Sequence, residues 1–259
     1  MVIMALLERP TGKADLFIID TSYRRPDEVE REFGRHLKNL DDFSSVSDED
    51  LDRTVNHAEG LNSLLRAGRV DGNPKLVAVE ETVLELDAGN DRIKRKLRAL
   101  KAPDGESDIK RRLSSAMRYV HLMETLADNL RATNPKQILK GRAKLYLPQF
   151  LRATQGFYED VSRGQKQTFG GALGTDARTV AAAGAAVYQM GIDHVIVLTR
   201  DTKHIVEMLF RMKEKLFLGE DGKKYGIMHK PNKDFSINAY SCNVPWLFDK
   251  GFAVKPELN

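Results

Sequence analysis

The stretch DLFIIDTSYRRP, residues 15–26, ends an apolar run with a carboxylate and two hydroxyl side chains. A short apolar run such as Leu16 to Ile19, bounded by polar residues, is typical of a buried strand in a parallel sheet. Sheets of this kind place functional groups just beyond the carboxyl ends of their strands. Asp20 is therefore either a candidate site residue or a helix cap. The choice depends on whether other polar residues of the chain are expected to lie near it.

Further apolar runs follow the same pattern. HVIVLTRD, residues 194–201, predicts a strand that ends in Thr199 and Asp201. LVAV, residues 76–79, predicts another strand that runs into a helix, and KYGIMH, residues 224–229, is expected to be the last strand. Strands that alternate with helices predict an α/β fold with a parallel sheet flanked by helices on both sides.

Four carboxylates are expected to meet at one edge of this sheet. Asp20 and Asp201 follow strands whose carboxyl ends share an edge if the strands are neighbours. Glu85 lies on the helix after the third run, and Asp176 opens the helix before the strand of Asp201. Gathered carboxylates repel each other unless a cation compensates, and hard oxygen ligands without His or Cys favour Mg²⁺ or Mn²⁺. The pattern indicates metal-assisted hydrolysis of a phosphodiester.

Four motifs in order resemble those of the PIN-domain nucleases: FIIDTS, LVAVEETVLEL, TDARTVAAAGAAV and VIVLTRD. The resemblance covers roughly residues 14–90 and 170–230. It implies a single PIN-like domain over residues 1–259, with a three-layer α/β/α architecture around a central parallel sheet.

The same resemblance implies a role for each motif residue. The acidic metal ligands and catalytic residues would be Asp20, Glu85, Asp176 and Asp201. Hydrogen-bonding support would come from Thr21, Ser22 and Thr199. The second acid is open between two residues, because Glu81 lies one helical turn before Glu85 and faces the same way.

The chain departs from the family between its second and third motifs. Glu85 and Asp176 are 91 residues apart, which is long for the family and predicts a mainly helical insertion over residues 90–170, with one helix beginning at Asn90. Residues 91–118 hold ten bases against four acids, whereas residues 41–60 hold seven acids and one base. A basic helical stretch is commonly a solvated face; the functional alternative is that it holds phosphates, through Arg92, Lys96, Arg111 and Arg112.

The amino-acid composition indicates the broad class of protein. A hydrophobic fraction of 41% and a charged fraction of 30% over 259 residues are typical of a soluble globular protein. No apolar run has the length of a membrane span, and the first residues lack a signal-peptide pattern. The single Cys242 excludes an intramolecular disulfide and a zinc site built on cysteines alone. We therefore expect a cytoplasmic protein with no membrane partner; its oligomeric state is open, and a homo-oligomer is compatible with the sequence.

The function expected from these features is that of a metal-dependent nuclease, an endoribonuclease-like hydrolase that uses Mg²⁺ or Mn²⁺. RNA is favoured over DNA as the substrate and partner. Two alternatives stay open at this point: a nuclease of the same fold that cuts DNA flaps or single strands, and a catalytically silent nucleic-acid-binding or adaptor protein.

Overall fold

The computed structural model describes most of the chain: residues 15–24, 43–66, 69–70, 73–74, 76–101, 105–132, 143–162, 173–190, 192, 194–201, 204–217, 221–227, 235–240 and 252–254. The strands are β1 (Asp15–Ile19), β2 (Arg69–Val70), β3 (Asn73–Pro74), β4 (Leu76–Val77), β5 (His194–Leu198), β6 (Phe235–Tyr240) and β7 (Phe252–Val254). The α-helices are α1 (Asp48–Arg66), α2 (Glu80–Ala99), α3 (Ser107–Ala132), α4 (Ala143–Ser162), α5 (Leu173–Met190), α6 (Ile205–Arg211) and α7 (Asp221–Lys224). A 3₁₀ turn at Thr21–Arg24 follows β1, and a π-helical segment at Met212–Phe217 continues α6.

The central sheet has the strand order β4-β1-β5-β6-β7. β4, β1, β5 and β6 pair in parallel, and β7 pairs antiparallel with β6 at one edge. β1 and β5 are direct neighbours, with Ile19 opposite Leu198 at their carboxyl ends. The prediction of an α/β fold with a parallel sheet is confirmed.

Both faces of the sheet are buried against helices. Leu16 and Ile18 of β1 belong to a cluster that includes residues of α4, α5 and α6. Phe17 and Ile19 belong to a second cluster with residues of α1, α2 and α3. Because successive side chains of a strand point to opposite faces, this alternation places one apolar cluster on each side of the sheet. The second half of α2 and the whole of α3, expected to be part of an insertion, therefore contribute to one of the two cores.

Small residues let α5 pack closely between the sheet and α4. Ala181, Ala182, Ala183, Ala185 and Ala186 are all buried. The hydroxyl of Thr154 on α4 donates to the carbonyl oxygen of Ala177 on α5 at 2.9 Å, which joins the two helices. This packing fixes the position of the first turn of α5, where Asp176 lies.

Three local predictions are wrong. α2 begins at Glu80 and continues without a break past Asn90, so the expected helix start, and the expected boundary of the insertion at residue 90, fall inside this helix. Residues 224–227 end α7 and form a turn rather than a strand, and the strand beside β5 is β6. α5 begins at Leu173, so Asp176 lies within its first turn instead of opening the helix.

No helix in the described ranges has the length and apolar character needed to cross a membrane.

Two helix glycines allow the packing of α5 to be tested. A Cβ on Gly184 would lie 2.6 Å from the Met212 sulfur and 2.7 Å from the Phe150 ring, and both of those side chains are fully buried. We expect Gly184→Ala to destabilise the protein by about 1–3 kcal/mol, because overpacking outweighs the gain in helix propensity. In the control, Gly156→Ala, the Cβ makes an ordinary 3.6 Å contact, and the variant should gain up to about 1 kcal/mol. Urea denaturation measures both changes, and a Gly184→Ala variant as stable as Gly156→Ala would contradict the described packing.

Candidate functional site

Asp20 lies at the carboxyl end of β1 and is only 3% exposed. Its backbone N–H donates to the carbonyl oxygen of Leu198 at 2.9 Å, which extends the β1–β5 pairing by one residue. Its Oδ2 accepts three hydrogen bonds, from the Ser22 hydroxyl at 2.5 Å, the Ser22 N–H at 3.1 Å and the Thr199 hydroxyl at 3.1 Å. Among the described residues none donates to Oδ1.

Burial makes the ionised form of Asp20 costly. It raises the pKa of Asp20 above its ordinary value of 3.8, and the charge of Asp201 adds to the rise. The hydrogen bonds from Ser22 and Thr199 act in the opposite direction. Two of the predicted supporting residues therefore contact the carboxylate that they were expected to support.

Glu85 is held at both carboxylate oxygens. The Thr21 hydroxyl donates to Oε2 at 2.6 Å, and the Thr175 hydroxyl donates to Oε1 at 2.7 Å. Thr21 follows β1 and Thr175 lies in the first turn of α5, so this one side chain joins three elements of the fold. Thr175, which is buried, was not among the residues expected from the sequence.

Glu81, the alternative second acid, is engaged elsewhere. Its carboxylate pairs with the Arg178 guanidinium on α5 at 2.6 Å. Glu85 instead accepts hydrogen bonds from Thr21 and Thr175, the neighbours in sequence of Asp20 and Asp176. Glu85 is therefore the acid of α2 that lies at the carboxylate cluster, which we define as Asp20, Glu85, Asp176 and Asp201.

The pKa of Asp176 depends on burial and on the charges of the other three acids of the cluster. Burial raises its pKa from 3.8 to about 8, and the negative charges of Asp20, Asp201 and Glu85 contribute in that order. Like charges act on a pKa in this way only at short range. Hydrogen bonds lead to the same arrangement: Glu85 bonds to the neighbours in sequence of Asp20 and Asp176, and Thr199 bonds to both Asp20 and the backbone of Asp201.

Asp201 combines two roles. Its Oδ1 accepts the backbone N–H of His204, the residue before α6, at 2.7 Å and so orders the turn that leads into this helix. Its Oδ2 lies 2.9 Å from Nδ1 of the same histidine. One ligand atom from each of Asp176, Asp201 and His204 lies within 4.8 Å of the others. The six histidines show no metal-ligand spacing in the sequence, and this contact became visible only in the structure.

A network of hydroxyl groups connects the two strand ends. The Ser22 hydroxyl accepts the N–H of Arg200 at 2.8 Å and lies 3.2 Å from the Thr199 hydroxyl. The Thr199 hydroxyl in turn accepts the N–H of Asp201 at 3.0 Å. Ser22 and Thr199 therefore bond to Asp20 and also set the backbone that carries Asp201.

A partly buried histidine joins α1 to the turn after β1. Nε2 of His57 lies 2.7 Å from the carbonyl oxygen of Tyr23, and the two rings are 5.1 Å apart. Burial, together with the positive charge of Arg200, outweighs the hydrogen bond to Tyr23 and lowers the pKa of His57 to about 4, so the imidazole is neutral near pH 7. Neutral Nε2–H can donate to the Tyr23 carbonyl, which stabilises the turn that carries Thr21 and Ser22.

The four cations expected to hold nucleic acid differ in their surroundings. Arg111 and Arg112 both pair with Asp48 of α1, at 3.0 and 2.9 Å. Arg92 is exposed on α2, and Lys96 is half-buried on the same helix. The acidic and basic segments of the sequence thus partly neutralise each other across α1 and α3.

No family model, curated protein or solved structure matches this chain. The site therefore has to be interpreted from its own geometry and from the motifs of the sequence.

The raised pKa of Asp176 has a consequence for stability. Between pH 4 and 8 the folded protein holds a proton that the unfolded chain has lost, so the free energy of unfolding falls as the pH rises through this window. Asn cannot ionise, so in EDTA at pH 8 we expect Asp176→Asn to be more stable than the wild type by about 1 kcal/mol, or about 2–4 °C in Tm. The difference should shrink towards pH 4.

Asp52→Asn is the matched control, because Asp52 is an exposed acid of α1. Thermal unfolding of the three proteins at pH 4 and pH 8 makes the comparison. An Asp176→Asn variant that is less stable than the wild type at both values would show that the ionised carboxylate is not under repulsion.

Proposed function

We propose that this protein is a metal-dependent nuclease that hydrolyses phosphodiester bonds, with RNA favoured over DNA. The observation that carries the proposal is the convergence of four carboxylates, from four separate segments, with Asp20 Oδ1 accepting no hydrogen bond from the described residues. Purely structural carboxylates are normally neutralised by bases or fully hydrogen-bonded. In this cluster, burial and neighbouring negative charges raise the pKa values of Asp20 and Asp176, as expected of residues arranged to bind a cation.

The donor set fits Mg²⁺ or Mn²⁺. Asp20, Asp176 and Asp201 offer hard oxygen ligands, and Glu85 adds a fourth negative charge to the site. Asp176 must lose its proton to bind a cation, so binding should strengthen as the pH rises towards 8. A divalent ion held here would lower the pKa of a water and polarise a phosphate oxygen.

The surrounding side chains orient the carboxylates for this task. The hydroxyls of Ser22 and Thr199 occupy Oδ2 of Asp20 and so direct Oδ1 to a ligand. The hydroxyls of Thr21 and Thr175 fix the carboxylate plane of Glu85. His204 holds Asp201 through its backbone and its ring. Hydrogen-bonded partners of this kind raise metal affinity because they remove the freedom of the ligands.

The arrangement of the elements also supports a PIN-like, three-layer α/β/α architecture. The four motif segments fall on β1, α2, α5 and β5, and the sheet has helices on each face. Ligands of open parallel sheets bind beyond the carboxyl ends of the strands, which is where the cluster lies.

A cleavage assay tests the proposal. Asp20→Asn keeps the size of the side chain but removes a charge, so we expect it to reduce Mn²⁺-dependent cleavage of single-stranded RNA to the level of an EDTA-treated wild type. Asp52→Asn, an exposed acid on α1, should cleave as the wild type does. DNA of the same sequence, single-stranded or with a flap, forms the second arm. Cleavage that survives both Asp20→Asn and EDTA, or a wild type that cuts neither polymer with Mn²⁺ or Mg²⁺, would contradict the proposal.

Thr175 provides a second test through metal binding alone. Thr175→Val keeps the shape of the buried side chain but removes the hydrogen bond to Glu85, and we expect Mn²⁺ affinity to fall about 10- to 100-fold. Thr175→Ser keeps the hydroxyl and should stay near the wild type. Isothermal titration with Mn²⁺ measures all three proteins; equal affinities for the Val and Ser variants would show that the hydroxyl does not position Glu85.

A further inference from the structure

The arginines of the helices α2 and α3 fall into two groups. On α3, four arginines pair with acids: Arg111 and Arg112 with Asp48, Arg118 with Glu59, and Arg131 with Asp87 and Asp128. Exposure does not distinguish these residues from free cations, since the Arg111 and Arg118 side chains are each 65% exposed. Their charges are nevertheless balanced by carboxylates of neighbouring helices or of α3 itself.

The outward face of α2 is different. Arg92, Arg95 and Arg98 are all exposed and follow one another at intervals of three residues, so they share one side of the helix. Within the part of the chain that the structure describes, none of the three forms an ion pair with an acid. The Arg95 side chain donates to the carbonyl oxygen of Asp91 at 3.3 Å, which leaves its positive charge uncompensated.

Charge along the second half of α2 is strongly positive. Residues 88–99 contain five cations and one acid, Asp91. Lys94 faces α3, where it pairs with Glu124 at 2.5 Å. Arg92, Arg95 and Arg98 lie on the exposed side of α2, which Asp91 shares, so this side carries a net positive charge.

The helix α2 connects this face to the carboxylate cluster, and the three arginines turn progressively around the helix, away from the side of Glu85. Glu85 lies in the second turn of α2, and Arg92 follows it by seven residues, almost two full turns, on nearly the same side. At a rise of about 1.5 Å per residue, Arg92 lies about 10 Å and Arg98 about 20 Å beyond Glu85 along the axis. At about 3.4 Å per stacked nucleotide, these distances correspond to about 3 to 6 nucleotides.

We propose that the outward face of α2, defined by Arg92, Arg95 and Arg98, binds the phosphates of a single nucleic-acid strand whose cleaved bond lies at the carboxylate cluster. The inference rests on the proposed nuclease function and names the surface that holds its substrate. A regularly spaced polyanion matches a row of cations on one helix face, and it does not require contacts with bases. The cations also offset the repulsion that the cluster exerts on an approaching phosphate. Arg111 and Arg112, which pair with Asp48, are not part of this surface.

The test compares two triple variants that each remove three positive charges. The α2 variant is Arg92→Gln, Arg95→Gln and Arg98→Gln; the matched control is Arg111→Gln, Arg118→Gln and Arg131→Gln on α3. Gln is nearly as good a helix former as Arg, and exposed ion pairs contribute only about 0–1 kcal/mol each, so both proteins should fold. Circular dichroism verifies this before binding is measured.

Binding is measured by fluorescence anisotropy with a labelled single strand of about twelve nucleotides, long enough to pass Arg98. Ca²⁺ replaces the activating metal to suppress cleavage, and RNA and DNA of one sequence form the two arms. On a single strand, each phosphate contact contributes about 0.7 to the magnitude of the slope of log affinity against log salt. The magnitude of this slope should therefore be smaller by about 2 in the α2 variant than in the wild type. The control should keep the wild-type slope, and both arms should change alike because the contacts are to phosphates.

Three results would overturn the inference: a wild type that binds neither strand, an α2 variant with the wild-type slope, or a control that loses as much slope as the α2 variant. The nuclease proposal is judged separately, by Mn²⁺-dependent cleavage in wild type and Asp20→Asn. Suppose that cleavage depends on Asp20 while the α2 variant keeps the wild-type slope of log affinity against log salt. That result would support the nuclease proposal and would show that α2 does not bind the substrate.

Discussion

The parallel pairing of β1 with β5 is the contact on which the site depends. It sets Ile19 opposite Leu198, and the bond from the Asp20 N–H to the Leu198 carbonyl extends it to the residue that carries the first carboxylate. The Thr199 hydroxyl can then reach Asp20, and Asp201 follows two residues later. A shift of one residue in this register would turn every side chain of β1 to the opposite face of the sheet and separate the two strand ends.

The packed helices hold charges together that repel one another. Burial and three neighbouring carboxylates raise the pKa of Asp176 to about 8, and the rigid contact of α5 with α4 prevents the first turn of α5 from moving away. This repulsion lowers the stability of the folded protein. The cation-binding role that we propose would account for this cost, because functional sites commonly lose stability in order to hold a prearranged set of ligands.

The sequence predicts the parts of the fold and site that depend on local pattern. Short apolar runs locate β1, β4 and β5, and the residues that follow them, such as Asp20 and Asp201, are brought together because parallel strands share an edge. Contacts between distant segments carry no such pattern. The bond from Thr175 to Glu85, the pairing of Glu81 with Arg178 and the neutralisation of Arg111 by Asp48 join residues far apart in the chain. The unbroken helix through Asn90 was missed because polar residues face both the core and the solvent at that point of α2.

The central claim is that the carboxylate cluster is a site for a divalent cation. An anomalous difference map from a crystal of the protein soaked in Mn²⁺ tests it most directly, because it locates the ion without reference to activity. The account predicts a peak that contacts Oδ1 of Asp20 and the carboxylates of Asp176 and Asp201. A well-ordered cluster with no peak, while Mn²⁺ is visible elsewhere in the same crystal, would contradict it.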